Sequence, residues 1–490
     1  MKRLSNCGFR LIPFAIVFLS LVIGCAKKDT GKIPITTKSK EARQLFLQGR
    51  DFSDRLQVQE SKSYLEKAVE KDTDFAMALL YLAFTQSTAR EFFEYMDKAK
   101  ALADKVSEGE KLWILGFDAG VNGLPMKQRE YYQKLVELYP NDERAHNLLG
   151  LNYFGQQEYE ASIAEFQKSI AIAPEFSQPY NQMGYAFRFI KQYDEAERAF
   201  QKYIKLIPND PNPYDSYAEL LLKMGQYPAS IENYAKALRQ NPNFVASYLG
   251  TATDYNLMGD YDKARSTLDK LMEIARNNGE KAAALNAMAV SYLDEGNFDK
   301  ALEMQNQQLD INKEDNDAAG MNGTLVTTGY ILLEAGKADE ALKKYEEGLN
   351  ALLESNLATE IKDAGKRGYI NNCGRAALVK KDLKTAKAKV EEFLAAVQQM
   401  QDANQIMLAH ELAGMISLEE KDYDRAITEL NQASQLNPYN LYRLALAYLG
   451  KGDTEKAKDY LNQTVNFNSL NDINLCFCRK KAGKMLASLK

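Results

Sequence analysis

Residues 143–176 read ERAHNLLGLNYFGQQEYEASIAEFQKSIAIAPEF, and this stretch returns in altered form along the chain. Leu149, Gly150, Tyr153, Tyr159, Phe166, Ser169 and Pro174 recur in kind 34 residues later. Their counterparts are Met183, Gly184, Phe187, Tyr193, Phe200, Tyr203 and Pro208, then Tyr217, Ala218, Leu221, Tyr227, Tyr234, Ala237 and Pro242. A small residue holds position 20 of successive units, as Ser162, Ala196, Ser230, Ala264, Ala301, Ala341, Ala386, Ala426 and Ala457.

The spacing carries a physical reading. Positions 4, 7, 8 and 11 of the unit form one apolar stripe on a first helix, and positions 20, 24 and 27 form another on a second. Glycines such as Gly225, Gly259, Gly296 and Gly452 fall between them, where positive φ stops a helix. The closing proline has no N–H with which to continue the second helix. One such hairpin cannot bury its stripes alone, so neighbours must stack.

The aromatic at position 4 (Tyr180, Tyr214, Tyr248), the small residues at 8 and 20 and the closing proline together resemble the tetratricopeptide repeat. The resemblance covers most of the chain beyond residue 42. It implies an all-α protein, a right-handed solenoid of about twelve helix-turn-helix units beginning near 43, 77, 109, 143, 177, 211, 245, 282, 322, 367, 407 and 438. Residues 472–490 are expected to form a helix capping the last hairpin. The longer intervals at 316–321 and 356–366 suggest two array segments, 43–315 and 316–471, joined flexibly.

The first 24 residues have a different character. Lys2, Arg3 and Arg10 precede an apolar run from Leu11 to Ile23, shorter than the roughly 20 residues a membrane span needs and suited to a signal-peptide core. The run ends in Leu21-Val22-Ile23-Gly24-Cys25, which resembles the lipobox of bacterial lipoproteins. That resemblance implies lipid attachment to Cys25, residues 25–42 as a lipidated flexible tether, and, with Ala26 rather than Asp after the cysteine, placement at the outer membrane. Several acyl chains on one residue anchor far more firmly than one.

Composition narrows the partners. The net charge is −5, and becomes −8 once Lys2, Arg3 and Arg10 leave with a leader that carries no acid. With no basic tract, nucleic acid is not an expected partner. Five cysteines, of which only Cys373, Cys476 and Cys478 lie in the body, make no disulfide framework. Cys476 and Cys478, two residues apart, point to different sides of a helix and have no neighbouring ligand pair, so no metal is expected. Both histidines, His146 and His410, fall at position 4, where other units carry tyrosine, and read as wedges between helices. Phosphate-loop, nucleophile-elbow and zincin motifs are missing from the sequence. No catalytic residue and no cofactor is expected.

In tetratricopeptide-repeat proteins the first helices line a concave groove. That resemblance implies groove roles for Arg144, Asn147, Gln178, Asn181, Tyr185, Arg188, Asp215, Glu219, Asn256 and Asn286. Amides carry donor and acceptor together and can pair with any peptide backbone. The sole tryptophan, Trp113, is expected to pack in the core or anchor a ligand. The expected function is a non-catalytic envelope scaffold binding a protein partner; the alternative is a glycan-binding lipoprotein resembling SusD-like uptake partners.

Overall fold

The computed structural model describes residues 31–398, 400 and 402–489; the leader and Cys25 lie outside them. Among the described residues, twelve helical hairpins follow one another, with one further α-helix and a short 3-10 turn at Ala103–Lys105. They are α1/α2 (Lys40–Asp54, Val58–Lys71), α3/α4 (Ala76–Ala83, Ala89–Ala101), α5/α6 (Glu108–Val121, Pro125–Leu138) and α7/α8 (Glu143–Gly155, Tyr159–Ile172). Next come α9/α10 (Gln178–Phe189, Tyr193–Leu206), α11/α12 (Pro211–Lys223, Tyr227–Gln240), α13/α14 (Val245–Met258, Tyr261–Ile274) and α15/α16 (Asn278–Glu295, Phe298–Glu314). The last are α17/α18 (Ala318–Glu334, Ala338–Glu354), α19/α20 (Thr359–Val379, Leu383–Gln398), α21/α22 (Ala403–Glu419, Tyr423–Gln432) and α23/α24 (Pro438–Gly450, Thr454–Val465), then α25 (Ile473–Ser488).

Each hairpin closes on the residues whose recurrence defines the period. Position 8 is covered by the large residue at position 24: a Cβ added at Gly150 would lie 2.6 Å from the Phe166 ring, and one at Gly184 2.7 Å from Phe200. The same lock appears between Gly116 and Tyr132 and between Gly329 and Tyr345. Ser162 and Ser230, at position 20, donate to the Gly150 and Ala218 carbonyls of the partner helix at 2.9 Å. The position-4 tyrosine hydroxyls of Tyr180, Tyr214 and Tyr248 donate to the carbonyls of Pro174, Pro208 and Pro242, tying each unit to its predecessor. Glycine takes positive φ in six of the hairpin turns, at 123, 225, 259, 296, 336 and 452, whereas Leu56, Gln157, Lys191, Lys381 and Lys421 adopt it without glycine.

Three expectations are corrected. The long intervals near 316 and 356 are not long connections. They are taken up by longer helices, and Asn312 Nδ2 donates to Thr324 Oγ1 (2.9 Å) across the first while Tyr330 OH donates to Asn372 Oδ1 (3.0 Å) across the second. The stack therefore runs unbroken from 43–315 into 316–471. Nor are residues 32–39 a free tether. They run along the array, with Ile33 N–H donating to Asp142 (2.8 Å), Thr36 N–H to the fully buried Glu110 (2.7 Å), and Ile33 and Ile35 packed on the core. Finally, α25 does more than cap α23 and α24. It packs against α15 as well, stacks Phe477 on Phe298 of α16 and passes Arg479 to the Leu257 carbonyl of α13 (3.0 Å).

Units roughly one superhelical turn apart meet edge to edge. Gln57 after α1 donates to Asp210 before α11 (2.9 Å), α4 packs on α17, and Gln157 after α7 donates to Asn404 in α21 (2.9 Å). Tyr227 OH donates to Asn468 (2.8 Å). Trp113 is buried in the N-terminal core beside Tyr81. Among the described residues, no helix is long and apolar enough to cross a membrane.

Candidate functional site

The first helices carry the expected groove residues, and most of their polar ends are spent on neighbouring units. Arg144 pairs with Asp54 of the first hairpin (2.6 Å) and lies over the Phe176 ring. Asn147 Nδ2 donates to Gln178 (3.0 Å), Arg188 Nη1 to Glu219 (3.2 Å), and Ser247 to Asp215 (2.7 Å). Asn256 accepts from Ser291 (2.8 Å) and Asn286 from Gln305 (3.3 Å). Asp215 and Asn256 are buried and joined to neighbouring helices.

Apart from Asn256 and Asn286, the groove residues gather on units four to six. Asn147 and Asn181 occupy the same position one period apart, both are buried, and each Oδ1 is left without a hydrogen-bond partner among the described residues. Tyr185 packs edge-on against Phe200 and supports the Arg188 guanidinium, which also lies over Phe189. Burial, reinforced by Glu219, pushes the Asp215 carboxyl well above the usual carboxylate range. Burial likewise raises Asp254 to about 8, with the Ser230 hydroxyl opposing it. These buried acids are seams between helices, where the neutral form suits the surroundings.

Beside this face is a cavity of about 680 Å³, which the repeat pattern did not announce. One wall is the turn region of units five and six, with Arg188, Phe189, Lys191, Glu219, Leu222 and Lys223; the other comes from residues 435–470 of the last two units. No local signal links residues some 240 apart in sequence; they meet because the superhelix brings turn edges together. Sequence spacing also missed the buried triad in which Glu411 accepts from Arg375 (2.8 Å) and Arg443 (2.9 Å), binding the first helices of units ten to twelve.

Both histidines stand where the period places them. His146 joins Glu165 (2.6 Å) and the Pro140 carbonyl (3.1 Å), the latter matching the tyrosine-to-proline bond of other units; His410 joins Glu429 (2.8 Å). Burial raises the Cys476 and Cys478 thiols, the latter to about 12, which keeps them protonated and poorly nucleophilic. Among the described residues, no cluster of three or more His, Cys, Asp or Glu side chains is arranged to hold a metal.

No curated protein matches the chain. The MamA protein crystal structure is 22% identical, covering 34% of this chain and 91% of its own, with a TM-score of 0.29. A thermophilic TPR protein of Thermus thermophilus is 18% identical, covering 39% and 99%, with a TM-score of 0.33. MamA 41-end from Desulfovibrio magneticus is 18% identical, covering 35% and 96%, with a TM-score of 0.30. Tetratricopeptide-repeat family models match residues 128–175, 177–210, 243–314, 409–440 and 439–467. Two of these matches fall on the hairpins that carry the Gly150–Phe166 and Gly184–Phe200 locks, and the chain is a stack of tetratricopeptide repeats.

Proposed function

We propose that this chain is a non-catalytic scaffold of the bacterial cell envelope, lipid-anchored through Cys25 at the outer membrane, that grips a segment of a partner protein. The face used is the concave floor of units four and five. The supporting observation is the pair Asn147 and Asn181, whose buried Oδ1 atoms lack partners one period apart among the described residues. A buried acceptor left unpaired costs about 1–3 kcal/mol, and backbone N–H groups of an extended segment would satisfy both whatever its sequence. Gln178 and Tyr185 flank Asn181 on the same helix. A glycan-binding role draws less support, since Phe84 is the one exposed aromatic side chain among the described residues and sugar recognition relies on exposed rings.

Crosslinking in intact cells followed by pull-down tests the scaffold. A defined partner is expected with the native chain and is lost with Asn147→Leu/Asn181→Leu, if circular dichroism shows the variant folded. Equal recovery from both, or binding on a glycan array with no protein partner, would overturn the reading. The anchor is tested separately: Cys25→Ala is expected to abolish labelled-palmitate incorporation and membrane partitioning.

A further inference from the structure

We propose that the cavity between the turns of units five and six and the last hairpin binds a small amphiphilic carboxylate. Its head sits at Arg188 and Lys223, and its apolar body lies against Phe189, Leu222, Leu436 and Leu441. This goes beyond the scaffold role and does not depend on it.

Charge is the first argument. The chain as a whole is net negative, yet Arg188, Lys191 and Lys223 converge on one wall with Glu219 as the single acid lining it. Glu219 is already engaged by Arg188 Nη1, and the buried Arg188 Nε has no partner among the described residues. The Phe467 carbonyl takes one of the three donors of Lys223. Cationic groups in a partly dry recess, in excess of their local acids, favour an anion.

The state of Lys223 agrees. Burial, then Arg188 and Lys191, push its amine down to about 8, and Asp472 from the segment before α25 opposes them. An incoming carboxylate would restore the ammonium, so binding should weaken as pH rises through 8.

Shape and chemistry limit the occupant. The volume, about 680 Å³, lies within the range of small-molecule sites. In chain order the cavity lies between the Gln157–Asn404 contact and the Tyr227–Asn468 contact, which hold its two walls together. The far wall supplies leucines and a row of neutral side chains that includes Asn462, Gln463 and Asn466, with no acid among the lining residues there to repel a carboxylate.

The test is calorimetric titration of the full chain with hexanoate, hexan-1-ol and hexylammonium, three probes of one shape and different charge. Hexanoate is expected to bind at least about tenfold more tightly than hexanol, with hexylammonium weakest. The hexanoate preference should shrink to under about threefold in Lys223→Met, shrink partly in the exposed Lys191→Gln, and decline between pH 7 and 9. Hexanol binding as tightly as hexanoate, no heat from either probe at millimolar concentration, or an unchanged preference in Lys191→Gln would overturn the proposal. Lys191→Gln replaces an exposed side chain, so it remains informative if Lys223→Met does not fold.

Discussion

Glu411→Gln removes the one negative charge from a buried knot that ties three units together. Glu411 is only 3% exposed and accepts from Arg375, Arg443 and Asn440 at 2.8, 2.9 and 3.2 Å. Burial alone would raise its carboxyl, but Arg375 and Arg443 hold it at about 2, against an ordinary 4.5. At 1.36 kcal/mol per unit this ion-pair knot contributes roughly 3 kcal/mol at neutral pH. Because the folded value lies below the unfolded one, the contribution is full above about pH 4.5 and lost as pH falls towards 2. The glutamine keeps the shape and leaves two guanidiniums buried without a counter-charge, a loss of about 3–5 kcal/mol. In a stack held mainly by nearest-neighbour contacts the damage should stay largely local. Amide exchange in α19, α21 and α23 is expected to accelerate strongly while α7 to α12 remain protected, and urea unfolding should develop an early phase. An apolar triple replacement, Arg375→Met/Glu411→Met/Arg443→Met, should recover most of the loss, since no charge is then stranded. A Glu411→Gln chain whose exchange matches the native chain in all three helices would refute the reasoning.

Further outcomes follow from other contacts. Gly184→Ala places a Cβ 2.7 Å from the Phe200 ring, and overpacking of this kind should cost about 1–3 kcal/mol in urea titration, with Phe200→Leu giving partial relief. Thr36→Val removes the hydroxyl that Thr36 donates to buried Glu110, leaving the backbone bond; a loss of about 1–2 kcal/mol and faster proteolysis ahead of α1 are expected. Lys421→Gly relieves positive φ (60°) in the turn before α22; the relief of about 1–2 kcal/mol, less the greater chain entropy of glycine, should leave the chain slightly more stable by thermal melting.

The sequence by itself determined the hairpin. Gly150 beneath Phe166, Ser162 against the Gly150 carbonyl and Tyr180 reaching Pro174 are contacts between residues at most 16 apart, so each is written within one period or at its border. Twelve units could therefore be counted, and His146 placed as a wedge, from spacing alone. Tertiary structure decided what lies between turns of the superhelix. Whether Gln157 meets Asn404, where Lys223 finds Phe467, and which groove residues are spent on neighbours depend on a small rotation per unit added over roughly seven repeats. No single residue carries that sum. For the same reason the polar segment 32–39 looked free: its partners Glu110 and Asp142 lie some 75 to 110 residues away, and polarity alone does not distinguish a strap from a tether.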